Sequence, residues 1–222
     1  MINNINLFQN LLLNWYSDNK RLFPWRQTRD PYHILVAEIL LQQTIVSENV
    51  VTAYNTIITN YKNIWELSKA NIIDLEYIIR PLGLVYRSKV FLKLSNEINE
   101  KYHGEIPNDL NSLINIFGIG DYTARAILSF AYNQDVPIVD TNVARFVQRF
   151  FGLTKKISMN PARNKLLREY AGKLIPRGNS REFNYAILDL CALICKNRLP
   201  VCSSCPLKNY CEFNLNPKFF KQ

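Results

Sequence analysis

Apolar residues recur at helical spacing through most of the chain. Phe8, Leu11, Leu12 and Trp15 form one set, Val143, Phe146, Val147 and Phe150 a second, and Ile187, Leu190, Cys191 and Ile194 a third. Each follows i, i+3, i+4, i+7, the mark of a helix with one face in the core. No alternating pattern of any length marks a strand. The periodic segments break at short turns, Asp30-Pro31, Pro81-Leu82-Gly83, His103-Gly104 and Gly118-Ile119-Gly120, where glycine and proline interrupt helical geometry. The pattern predicts an all-α fold. Internal repeats, low-complexity tracts and long linkers are absent, so a division into two helical lobes has to be made by packing. The sharpest change follows Cys195, beyond which Lys196, Arg198, Lys208, Lys218 and Lys221 face Glu212 as the one acid.

Composition narrows the classes. With 222 residues, 48% of them hydrophobic, and only seven glycines, the chain is neither disordered nor collagen-like. No apolar run approaches the roughly 20 residues that span a bilayer; Ile34 to Leu41 is interrupted by Glu38. The first residues lack the features of a secretory signal, so a cytoplasmic location without a membrane partner is expected. The 27 basic against 18 acidic residues give a net charge of +9, which favours a polyanionic partner such as nucleic acid or an anionic membrane surface.

All five cysteines lie between Cys191 and Cys211, in a chain too large to need disulfide stapling. Cys191 falls on the apolar face with Ile187 and Ile194 and reads as core. Cys195, Cys202, Cys205 and Cys211 have the spacing C-x6-C-x2-C-x5-C, which departs from helical intervals. Four thiolates in so short a segment can close around one tetrahedral zinc or an iron–sulfur cubane, and spacing alone does not choose.

Two further segments carry candidate chemistry. Ile116-Phe117-Gly118-Ile119-Gly120-Asp121-Tyr122-Thr123-Ala124 sets two glycines between apolar helices. Glycine permits close backbone approach, and the amides opening the second helix can meet a phosphate oxygen; a tight corner is the plainer reading. Val136-Pro137-Ile138-Val139-Asp140-Thr141-Asn142-Val143 then leads into a helix bearing Arg145 and Arg149. From residue type, Asp140 reads as an N-cap.

The order of these motifs resembles the helix-hairpin-helix DNA glycosylases of the endonuclease III superfamily. The likeness begins at Phe23-Pro24-Trp25-Arg26, continues through Arg29-Asp30-Pro31-Tyr32 and Glu38-Ile39-Leu40-Leu41-Gln42-Gln43-Thr44, and ends with the cysteines. The early segment is similar to the mismatch branch, which comprises thymine and adenine glycosylases. The resemblance implies a six-helix lobe over residues 25–132 containing the hairpin, and a second lobe from 1–24 and 133–222. It implies a [4Fe–4S] cluster on the four cysteines and a DNA cleft between the lobes. The residue matching Asp140 is the catalytic carboxylate in that branch, and the residue matching Glu38 is a second acid in the base pocket.

Those roles suit the chemistry. A carboxylate beside C1′ stabilises an oxocarbenium-like sugar, while a carboxyl desolvated among Ile34 to Leu41 keeps a proton for the departing base. An exposed helix position or a structural salt bridge is the plainer reading of Glu38. Strand-cutting relatives carry a lysine where this chain has Tyr122, so base removal without β-elimination is expected. Tyr122 is left to orient the sugar phosphate or to pack. Extrusion of the target base calls for a filling wedge, for which Gln42 and Gln43 are candidates beside their reading as a polar helix terminus. Gly118, Ile119, Gly120, Thr123, Asn142, Arg145, Arg149 and Arg87 complete the expected DNA contacts.

Tyr86 and Arg87 stand where adenine enzymes have paired tyrosines, and only the first is kept. The chain stops eleven residues after Cys211, whereas adenine enzymes carry a further reader domain. Both departures favour thymine or uracil opposite guanine, while Leu41-Gln42-Gln43-Thr44 is closer to the adenine enzymes. The expectation is a monomeric, monofunctional mismatch glycosylase acting on double-stranded DNA with a mispaired base. A non-catalytic DNA-binding module and an iron–sulfur redox protein are its rivals; neither accounts for both carboxylates. His33 and His103 are the only histidines, and no nucleotide-binding glycine loop is present.

Overall fold

A computed structural model describes residues 5–153 and 164–216. Lys218 and Lys221 of the basic tail lie outside these residues. Twelve α-helices and no strand occur among the described residues: α1 Ile5–Asn19, α2 Pro31–Leu41, α3 Glu48–Asn60, α4 Ile64–Ser68, α5 Ile72–Ile79, α6 Arg87–Tyr102, α7 Leu110–Ile114, α8 Asp121–Phe130, α9 Thr141–Phe151, α10 Lys165–Lys173, α11 Ser180–Leu193 and α12 Glu212–Leu215. None is long and apolar enough to cross a membrane. Side-chain caps set many of the starts: Asp30, Asn63, Asn71, Asp109, Asp140 and Asn164 each accept an amide from the first turn that follows. Each cap satisfies a donor that the helix itself cannot.

The chain divides into two compact units, Leu22–Tyr132 and the segments on either side of it. The inner unit holds seven helices, α2–α8, where six are expected from the sequence. The local N-caps at Asn63 and Asp109 start α4 and α7 as separate five-residue helices. Its centre is α2, which packs against α3, α6 and α8 and is buried from Tyr32 to Leu40 apart from His33. A helix enclosed on nearly every side has no polar face to reveal its period. His33 is held at the edge of this core against the Tyr54 hydroxyl.

In the outer unit α1 lies on α11, and α9 packs on α10, α11 and α12. Phe8 meets the Phe150 ring edge-on at 5.0 Å, and Phe146 stacks on Phe150 at 5.6 Å. The faces expected for α9 and α11 are the buried ones. On α1 the buried residues are Phe8, Leu12 and Tyr16, while Leu11 and Trp15 are only half-buried. The contact with α11 follows an i, i+4, i+8 line there. Just after α1, the Arg21 guanidinium meets the fully buried Asp189 carboxylate of α11 at 2.6 Å, and the Arg21 amide donates to its other oxygen.

Candidate active site and cysteine loop

The glycine turn joins α7 to α8. Gly118 has φ +80, and a Cβ there would lie 2.6 Å from Val90 of α6, so conformation and packing both require glycine. The turn is tied back to α6 a second time, because the Phe117 amide donates to Glu97 at 2.8 Å. The Glu97 carboxyl is held below its ordinary value by the hydrogen bond from Lys101 and by that amide. Gly120 opens α8 without a capping side chain, which leaves the approach to the helix N-terminus open to an anion. Asp121 pairs with Arg125 one turn on, and Tyr122 is half-buried.

Several expected DNA contacts are corrected by this geometry. The side chains of Ile119 and Thr123 are buried, so only their backbone can face a phosphate. Gln42 closes α2 and donates to Gly118 O at 3.0 Å and to Thr123 Oγ1 at 3.4 Å; it braces the hairpin. Gln43 is exposed and has φ +55, so it remains available as a wedge. Arg87 is fully buried and donates to Leu40 O at 2.9 Å and Thr44 Oγ1 at 2.8 Å. It cannot reach DNA, and its work is to hold the end of α2.

Glu38 lies in the middle of α2 with 6% of its surface exposed, which rules out the exposed-helix reading. Asp140 is both N-cap and candidate nucleophile or stabiliser. Its Oδ1 accepts the Val143 amide at 2.7 Å, and its Oδ2 accepts the Asn142 side-chain amide at 2.9 Å. Asn142 in turn accepts from Arg145 at 2.9 Å.

The remaining donors of Arg145 go to Cys195 O, at 2.9 and 3.2 Å. Arg149 donates to Lys196 O and Asn197 O and sits over the Phe213 ring. Both arginines, expected on phosphates, clamp α9 to the cysteine loop, whose carbonyls have no helical partners, while their side chains stay part-exposed. Nothing in the sequence pattern marks that clamp. Cys191 is buried and donates to Asn142 O at 3.4 Å, a core residue as expected.

Cys195, Cys202, Cys205 and Cys211 line one cavity with Phe146, Phe150, Ile194 and Leu207. None forms a disulfide. Among the described residues no three His, Cys, Asp or Glu side chains come together as a single-ion site. Four thiols lining one cavity are a donor set that either a tetrahedral zinc or an iron–sulfur cubane accepts.

The donor set fits as well. The Leu207 amide donates to Cys205, and the Asn214 and Phe213 amides donate to Cys211. Such N–H···S bonds within an apolar shell are the protein's means of stabilising and tuning a cluster. Burial and the neighbouring sulfurs push the Cys205 thiol up to about 12 and raise Cys202 and Cys211. A bound cationic group would favour the thiolate form at these three positions.

A glycine hairpin, a carboxylate-headed helix and a four-cysteine loop in an all-helical frame define a helix-hairpin-helix protein of the DNA-repair type. The chain belongs to the HhH-GPD superfamily of base excision DNA repair proteins, whose family model matches residues 36–171. It is 34% identical over 211 residues to a thymine/uracil-DNA glycosylase of Pyrobaculum aerophilum, covering 93% of this chain and 91% of the relative. It is 34% identical over 216 residues to an adenine DNA glycosylase of Buchnera aphidicola subsp. Acyrthosiphon pisum, covering 97% of this chain and 61% of that protein. The solved structure of a thermostable thymine-DNA glycosylase is similar with a TM-score of 0.88 at 31% identity, over 95% of this chain and 96% of the other. A non-covalent endonuclease III–DNA complex shares the fold, with a TM-score of 0.79 at 23% identity and 96% of each chain covered.

Proposed function

We propose that the protein is a monofunctional DNA glycosylase that removes mispaired thymine or uracil opposite guanine and acts as a monomer on double-stranded DNA inside the cell. The observation that carries this reading is the whole-length likeness to thymine/uracil-DNA glycosylases. It is supported by Asp140 and Glu38, both inside the segment matched by the family model.

Asp140 faces C1′ of the extruded nucleotide. Its two hydrogen bonds fix the carboxylate without neutralising it, so it stabilises positive charge as the C1′–N1 bond breaks. The electron pair leaves with the base, Glu38 gives the base a proton, and water adds at C1′ and loses its proton to Asp140. Two carboxyls in unlike surroundings divide these tasks. Tyr122 supplies no amine, so no Schiff base forms and an intact abasic strand is released. The amides around Gly118 and Gly120, together with Gln43 and Asn142, contact the DNA. Cys195, Cys202, Cys205 and Cys211 would hold a [4Fe–4S] cluster, which when bound orders the loop clamped by Arg145 and Arg149.

The likeness to adenine glycosylases supports a second reading, excision of adenine opposite guanine or 8-oxoguanine. Duplexes with single G/T, G/U, G/A and 8-oxoguanine/A pairs, each strand labelled in turn and treated with alkali after incubation, separate the two. Cleavage at T or U is expected, and breaks should require the alkali. Cleavage at A alone establishes the adenine reading, and no cleavage at any pair overturns both.

A further inference from the structure

We propose that Ile45 is an apolar wedge that enters the base stack when the target nucleotide is extruded. The inference rests on the DNA-glycosylase reading and adds to it a residue that hydrophobic periodicity does not single out. Ile45 is 89% exposed, the most exposed large apolar side chain among the described residues. It stands in the connection between α2 and α3.

A lone exposed isoleucine on a loose loop would need no explanation. This loop is anchored on the segment that leads up to Ile45, and α3 begins three residues after it. Arg87, wholly buried, fixes Leu40 O and the hydroxyl of Thr44, the residue before Ile45. Gln42 ties the same connection to Gly118 O of the glycine turn at 3.0 Å. Between these anchors Gln43 has φ +55, a conformation that a non-glycine residue adopts at a cost. Burying a guanidinium is also costly, and here its donors fix the backbone that carries Ile45. Arg87 directly follows Tyr86, itself 49% exposed at the head of α6. One buried side chain thus braces two projecting ones beside the hairpin.

The chemistry suits the position. Extruding a base leaves a gap, and proteins that distort duplexes hold such gaps with inserted apolar side chains. Isoleucine is stiff at χ1, so little freedom is lost on insertion, and its exposed surface gains by leaving water. It has no hydrogen-bonding group, so it supplies volume and reads no sequence. Gln43 is left to address the orphaned base.

The test uses Ile45→Ala and Ile45→Leu in the full chain, with duplexes carrying 2-aminopurine beside the target base. Ile45→Ala should slow single-turnover excision about tenfold and suppress the rise in 2-aminopurine fluorescence on binding. Its unfolding temperature and its affinity for fully paired duplex should match the wild type, and Ile45→Leu should restore both rate and fluorescence. Wild-type fluorescence and rate in Ile45→Ala overturn the proposal, as does a loss of rate with an unchanged fluorescence rise. If the wild-type protein excises nothing, the glycosylase reading fails, and the fluorescence difference between wild type and Ile45→Ala still decides whether Ile45 inserts.

Discussion

Oδ1 of Asp140 accepts the Val143 amide and Oδ2 accepts Asn142, so one side chain both starts α9 and presents a negative charge. The two duties separate on substitution. Asparagine caps a helix about as well as aspartate, so Asp140→Asn should stay within about 1 kcal/mol of the wild type in thermal unfolding. It should lose excision by about a hundred- to a thousandfold, the scale of one electrostatic stabiliser. Asp140→Ala should lose about 1 kcal/mol of stability besides. Single-turnover rates and unfolding curves on both variants check this, and full excision by Asp140→Asn would remove the catalytic assignment. The cap was legible in the sequence as residue chemistry, and the catalytic role came from resemblance. The Asn142 contact that orients the carboxylate is local, two residues on, and is fixed by the turn that opens α9.

Among the elements, α9 shows how one helix can serve two surfaces. Its apolar face, Val143, Phe146, Val147 and Phe150, was readable from spacing because burial of one stripe imposes the helical period. Its polar face, read as a phosphate grip, also clamps the cysteine loop through Arg145 and Arg149. Arg149→Ala should therefore lower the iron recovered per chain from a wild-type value of about four and leave α9 folded. Cys202→Ser should abolish the visible absorbance of a cubane. Metal analysis with absorption and circular dichroism spectra measures both, and a colourless wild-type protein with bound zinc would contradict the cluster. The helix α2 shows the opposite limit. Enclosed on nearly all sides, it has no amphipathic signature, and the partners that hold its end, Arg87 and the Gly118 carbonyl, lie 47 and 76 residues from Leu40 and Gln42.

At the scale of the whole molecule, the first helix is secured to α11 far along the chain by a buried ion pair. Arg21 and Asp189 are 168 residues apart, and the carboxylate is fully buried while the arginine keeps some solvent contact. Removing the acid takes away the carboxylate that both the Arg21 guanidinium and the Arg21 amide use. Asp189→Ala should cost about 3 kcal/mol and lower the unfolding midpoint by about 6–12 °C, the usual cost of breaking a buried pair in a chain of this size. Calorimetry decides it, and a shift under about 2 °C would show that the pair carries no stability.

The sequence by itself determined the helical class, the faces of α9 and α11, the Asp140 cap, the glycine hairpin and the grouping of the cysteines, because each depends on residues a few positions apart. Only the tertiary structure decided which polar side chains look outward. Arg87 and Thr123 were turned inward, Gln42 was given to the Gly118 carbonyl, Arg145 and Arg149 to loop carbonyls, and Ile45 was left in water. Their partners are brought close by packing across long separations, and no local pattern in a chain encodes where a distant carbonyl will come to need a donor.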